Sequence, residues 1–165
     1  MTPVIIDTNV IVISNHQNAK VVESCVDTCI RFIINVKING VVLLDTSDEI
    51  RSEYNNALKM GRPHQLGALF LMHIFQQQYN SKYVRQIDLE KAPSGEFVDF
   101  PIDPALAKFD RSDRKFAALA KKSGVAVANA TDSDWVDFQT PLSDNGVTIN
   151  FLCGCDKKAW FATEN

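Results

Sequence analysis

Four acidic residues of this sequence stand directly beside or among apolar residues, at positions that converge. Asp7 and Asp132 each follow an apolar run, whereas Glu53 and Asp113 lie at helical spacing among apolar residues. An ionised carboxylate in such a place destabilises the fold unless a cation or a hydrogen-bond donor compensates it. Hard cations such as Mg²⁺ and Mn²⁺ prefer oxygen ligands and activate water. These residue types therefore predict metal-dependent hydrolysis, with an activated water attacking a phosphodiester.

Asp113 carries this argument furthest. At 100° per residue on a helix, it falls within about 60° of Phe109, Phe116 and Ala120. The carboxylate therefore belongs to the inward face of the predicted helix, and Glu53 shows the same pattern on its own helix. Acids placed where leucine would pack better indicate a shared function.

The acids meet only if the secondary structure brings them to one edge of a sheet. The pattern predicts strands at 4–6, 41–44, 83–89, 125–128 and 146–152 and helices at 19–36, 46–61, 63–79 and 110–123. Residues 7–9 are expected in a turn, and Thr46 or Ser47 is expected to cap the second helix. This alternation predicts a three-layer α/β/α sandwich with a mostly parallel sheet of about five strands. Ligands bind such sheets beyond the carboxyl ends of the strands, where Asp7 and Asp132 are expected.

Length and composition indicate one soluble domain over residues 1–165. The 165 residues are 45% hydrophobic with a net charge of −3, and no segment resembles a signal peptide or a membrane span. A cytoplasmic location is the expectation, with Cys25, Cys29, Cys153 and Cys155 as reduced thiols that are buried or incidental. Their spacing disfavours a four-cysteine zinc site.

Four short motifs, in order along the chain, resemble those of PIN domains. The first is Val4-Ile-Ile-Asp-Thr-Asn-Val10, and the second is Ile50-Arg-Ser-Glu-Tyr54. The third is Asp113-Arg-Lys-Phe-Ala-Ala-Leu-Ala120, and the fourth is Ala130-Thr-Asp-Ser-Asp-Trp135. Each motif alone is weak, but the ordered set is fairly specific and spans nearly the whole chain.

The resemblance implies a five-stranded parallel sheet between helices and Mg²⁺- or Mn²⁺-dependent cleavage of single-stranded RNA. It implies four catalytic, metal-binding acids and two supporting acids, which are Asp7, Glu53, Asp113 and Asp132, then Asp134 and Asp110. Thr8, Asn9 and Thr131 would hold these carboxylates by hydrogen bonds. A shifted alignment of the second motif would select Glu49 instead of Glu53.

Basic residues support RNA as the partner. Segment 108–122 holds six basic residues against two acids, a local charge of +4, and its bases are expected to face outward to phosphates. Arg111, Arg114 and Lys115 are the expected substrate contacts. Trp135 is expected either to stack a base or to serve as a core aromatic. Residues 80–105 are candidates for an insertion, and the wider stretch 76–109 for substrate-facing features.

Other functions fit the sequence less well. A haloacid-dehalogenase-like phosphatase needs a second Asp two residues after Asp7, where Asn9 stands. A receiver domain could use Asp45 as its acceptor but leaves Asp113 unexplained. A catalytically inactive PIN-like binding module has no use for converging carboxylates. Toxin, RNA-processing and defence roles stay open, as do a structured RNA substrate, an antitoxin or other protein partner and a homodimer.

Overall fold

Five apolar segments pair into one parallel sheet. The computed structural model describes residues 1–58 and 64–163. The strands are β1 (Thr2–Ile6), β2 (Gly40–Asp45), β3 (Val84–Ile87), β4 (Val127–Asn129) and β5 (Ile149–Phe151). Their order is β3-β2-β1-β4-β5, and all four pairings are parallel. All residues of β2 and the last two residues of β1, Ile5 and Ile6, are buried, which explains the apolar runs of these inner strands.

Helices cover both faces of this sheet. They are α1 (Thr8–Ser14), α2 (Glu23–Asn39), α3 (Glu49–Leu58), α4 (Leu66–Gln76), α5 (Arg114–Ser123), α6 (Ser133–Asp137) and α7 (Gln139–Asp144). The chain crosses from β1 to β2 in one direction and from β3 to β4 in the other, so right-handed connections place α2 and α5 on opposite faces. The predicted three-layer α/β/α sandwich is thus confirmed. In the described ranges, no helix is long and apolar enough to cross a bilayer.

Three local predictions about chain geometry are wrong, each because a carboxylate changes where a helix begins. Residues 8 and 9 lie in the first turn of α1, because Asp7 caps that helix by accepting the Asn9 N–H. Asp45, not Thr46 or Ser47, caps α3. α5 begins at Arg114 and not at residue 110, after a turn held by Asp110. The predicted start of a helix at Pro63 lies outside the described residues.

The C-terminal tail, which carries no sequence signal, packs onto the start of α2. Trp160 is buried and donates its indole N–H to the Gly154 carbonyl at 3.0 Å. Its own carbonyl accepts the Val22 N–H at 2.9 Å. Trp160 therefore anchors the tail to α2, while the other described residues after Cys153 are exposed.

A disulfide between Cys25 and Cys153 ties this tail to α2. The expectation of four reduced, incidental thiols is wrong for this pair, whereas Cys29 is free and buried and Cys155 is free and exposed. The two cysteines are 128 residues apart in sequence, so only the packing of the segment after β5 against α2 reveals the pairing.

Reduction of this disulfide should lower the free energy of unfolding by about 3–5 kcal/mol, because it releases a long closed loop in the unfolded chain. Urea unfolding with and without a phosphine reductant measures the loss. Cys153→Ser should show the reduced stability under both conditions, and Cys155→Ser should behave like the unmodified chain. Equal midpoints with and without reductant would contradict the bridge.

Candidate metal centre

The candidate site lies where the strand order reverses. From β1 the chain turns toward β2, and from β4 it turns toward β5, so the connections after β1 and β4 diverge. The Asp7 N–H donates to the Ala128 carbonyl at 2.9 Å, which fixes the two strand ends side by side. A crevice at this position is the usual ligand site of open parallel sheets.

Asp7 is held by three donors. It is 3% exposed and accepts the Asn9 backbone N–H at 2.9 Å and the Asn9 Nδ2 at 2.6 Å on one oxygen. Its other oxygen accepts the Trp135 indole N–H at 2.6 Å. These bonds fix the orientation of the carboxylate and offset part of its cost of burial.

Two asparagines connect the first and fourth motifs. Asn9 Nδ2 also donates to Asn129 Oδ1 at 2.9 Å, and Asn9 Oδ1 accepts the Ala130 N–H at 2.9 Å. Asn129 in turn donates to the Asp132 carbonyl at 3.1 Å and accepts the Asp132 N–H at 3.2 Å. Asn129 was missed by the sequence analysis, although a polar residue ending a buried strand was a usable signal.

The carboxylates gather into two adjoining groups that share Asp113. Oxygen atoms of Asp7, Asp113 and Asp132 lie within 4.8 Å of one another, and so do oxygens of Asp110, Asp113 and Asp134. Two ligands of one octahedral Mg²⁺ lie at most about 4.2 Å apart, so small side-chain movements would let either group hold such an ion. The donor sets consist of carboxylate oxygens only, which suits Mg²⁺ or Mn²⁺.

Burial and mutual repulsion disfavour the ionised forms of these acids. Burial, and then the charges of Asp7 and Asp132, raise the pKa of Asp113 far above the usual carboxyl range. Burial chiefly raises the pKa of Asp7 and of Asp132 as well. In contrast, hydrogen bonds from Ser112 lower the pKa of Asp110. A divalent cation bound between these carboxylates would offset this repulsion. The cluster therefore fits such an ion.

Glu53 lies beside the cluster and not in it. Its Oε1 accepts the Thr8 hydroxyl, and its Oε2 pairs with the ammonium of Lys115. Glu53 is close enough to raise the pKa of Asp7, whose shift comes mainly from burial. Glu49, the alternative acid of the second motif, pairs with Lys91 at the surface.

Two of the three predicted supporting residues hold a carboxylate, and the third does not. Asn9 holds Asp7 as expected, and Thr8 holds Glu53. Thr131 differs, because it contributes its backbone N–H to Asn9 Oδ1 at 3.4 Å instead of holding a carboxylate.

Of the four predicted substrate contacts, only Arg111 is exposed, with 87% of its side-chain surface accessible. The outward placement of Lys115 and Arg114 is wrong: Lys115 is buried, and Arg114 pairs with Glu96 and lies over the Phe100 ring. Trp135 is completely buried, so it cannot stack a base and serves the core and Asp7 instead.

Replacement of Asp113 by Asn should stabilise the metal-free protein. The pKa of Asp113 is higher in the folded protein than in the unfolded chain, so ionisation destabilises the fold increasingly as pH rises above about 4. In EDTA at neutral or higher pH, the variant should melt about 3–6 °C above the unmodified chain, the equivalent of about 1–2 kcal/mol.

The difference in melting temperature should shrink as pH falls toward the usual carboxyl range, where Asp113 is protonated in the unfolded chain as well as in the folded protein. Asp27→Asn on the exposed face of α2 is the matched control and should change little. A melting temperature for Asp113→Asn below that of the unmodified chain at every pH would contradict the repulsion.

Comparison with known protein families, with curated proteins and with solved structures finds no match to this chain. The likeness of its four motifs to PIN domains therefore stays a prediction.

Proposed function

We propose that the chain is a Mg²⁺- or Mn²⁺-dependent endoribonuclease that cleaves phosphodiester bonds of single-stranded RNA. One observation carries the proposal: Asp7, Asp113 and Asp132 come from three separate parts of the chain and converge at the carboxyl edge of the sheet. A fold that only needed stability would gain from apolar residues at the two buried positions. The order of the four PIN-like motifs supports the same reading.

The residues of the site have distinct tasks in this proposal. Asp7, Asp113 and Asp132 would hold the cation, and Asp110 and Asp134 offer a second group of oxygens around Asp113. A bound Mg²⁺ or Mn²⁺ supplies an activated water and neutralises charge on the phosphate. Asn9 and Trp135 keep Asp7 in one orientation throughout, because both of its oxygens are hydrogen-bonded.

Exposed basic side chains next to the cluster support RNA as the substrate. Lys108 and Arg111 are exposed in the segment that carries Asp110 and Asp113. Lys121 and Lys122 are exposed at the far end of α5, where Lys122 pairs with Asp99. Cationic side chains beside an acidic centre attract a phosphate backbone.

The enzyme alternatives conflict with particular contacts. Asn9 stands where a haloacid-dehalogenase-like phosphatase uses an acid, and its amide is committed to Asp7 and Asn129. Asp45, the candidate acceptor of a receiver domain, accepts the N–H groups of Glu49 and Ile50 with its two oxygens. A module that only binds a protein partner would also gain nothing from the repulsion between Asp113 and its neighbouring carboxylates.

Purified protein should cleave labelled single-stranded RNA in Mn²⁺ or Mg²⁺ and not in EDTA. Asp7→Asn, Asp113→Asn and Asp132→Asn should each lower the rate by at least about 100-fold, because loss of a ligand exceeds the loss typical of residues that support one. Asp27→Asn should cleave like the unmodified chain.

Intact RNA in every metal, with a folded protein that still binds Mn²⁺, would contradict the proposal for single-stranded substrates. The cleavage assay would then be repeated on structured RNAs. Binding of these RNAs without cleavage would favour the catalytically inactive binding module. Cleavage that persists in all three variants would place the chemistry elsewhere.

A further inference from the structure

The buried ammonium of Lys115 is the feature that the proposed function leaves unexplained. Lys115 is 8% exposed, although lysine is among the residues least often buried. Its Nζ pairs with Glu53 and donates to the Ser112 carbonyl. Burial of a cation needs compensation, and here an acid of the second motif provides it.

Both carboxylate oxygens of Glu53 take part in this arrangement. Its two carboxylate oxygens are bound by Lys115 and by the Thr8 hydroxyl, and it belongs to neither group of three close carboxylates. A carboxylate already neutralised by an ammonium and a hydroxyl attracts a metal ion far less than Asp113 does. These contacts favour a role for Glu53 in holding Lys115 over a role as a metal ligand.

The position of Lys115 connects it to the cluster. Ser112, which accepts one of its N–H groups, lies in the turn between Asp110 and Asp113. An ammonium carries three N–H donors, and Glu53 and Ser112 account for two. The third suits a phosphate oxygen.

We propose that Lys115 binds the phosphodiester that is cut, and that Glu53 is the positioning residue that holds Lys115 and is not a metal ligand. The inference rests on the proposed ribonuclease function. Lys115 neutralises one phosphate oxygen, so the charge that develops during cleavage is stabilised by the protein as well as by the cation. Lys115 neither transfers a proton nor forms a covalent bond in this step.

The first arm of the test concerns metal alone. Mn²⁺ binding, measured by titration calorimetry and by the electron paramagnetic resonance of free Mn²⁺, is compared in Glu53→Gln and Asp113→Asn. Glu53→Gln should change the affinity by less than about 10-fold, below the range typical of groups that hold a ligand. Asp113→Asn should abolish binding. Equal losses in both variants would make Glu53 a ligand and overturn the inference, whatever RNA does.

The second arm measures phosphate contacts without catalysis. RNA binding is followed at several salt concentrations in EDTA, in the Asp113→Asn background. Loss of one phosphate contact lowers the slope of log affinity against log salt by about 0.7 for a single strand. Lys115→Met should show this decrease and Lys115→Arg should not. Lys37→Met, on α2 near the opposite edge of the sheet, is the control and should keep the full slope.

The double variant Glu53→Gln/Lys115→Met guards against misfolding, because it removes the buried pair without leaving one charge unpaired. It should fold and show the same decrease in slope. An unchanged slope in this variant, while the parent binds RNA, would make the pair structural and overturn the inference alone. Absence of RNA binding in the parent and in the unmodified chain would overturn the proposed function, and this inference with it.

Discussion

Repulsion among buried carboxylates is the constraint on which this site depends. Asp7 and Asp113 are nearly inaccessible to water, and Asp132 lies beside them. Beyond the effect of burial, the charges of Asp7 and Asp132 raise the pKa of Asp113, and the charge of Asp132 raises the pKa of Asp7. The fold keeps them close together, because Asp7 and Asp132 follow the adjacent strands β1 and β4 and Asp113 ends the short turn before α5. Hydrogen bonds from Asn9 and Trp135 fix Asp7 but leave the repulsion in place. A cation that removes it would stabilise the folded protein and acquire its ligands in one step.

The sequence predicted the structure correctly where a local residue pattern is compatible with only one local structure. Apolar runs interrupted by acids predicted β1, β2 and β4 and the edge at which Asp7 and Asp132 meet. The inward direction of Asp113 also followed from spacing, although this residue lies just before α5 and not inside it. In both cases burial of neighbouring side chains leaves a short segment only one orientation.

Side-chain direction could not be predicted where an element is enclosed on several sides. Residues 115–120 are all buried, so the first two turns of α5 have no outward face, and the rule that charged residues point to solvent fails for Lys115. Trp135 follows the same logic, since Asp7 and Phe109 lie at its indole ring. The Cys25–Cys153 disulfide depends on contacts between distant segments, about which spacing is silent.

Diffraction from crystals soaked in Mn²⁺, recorded for anomalous scattering, tests the central claim most directly. An anomalous peak is expected within bonding distance of Asp7, Asp113 and Asp132, and it should be absent from crystals of Asp113→Asn. No peak at this edge of the sheet, with the three carboxylates still in close contact, would contradict the claim, because the acids would then tolerate one another without a metal ion.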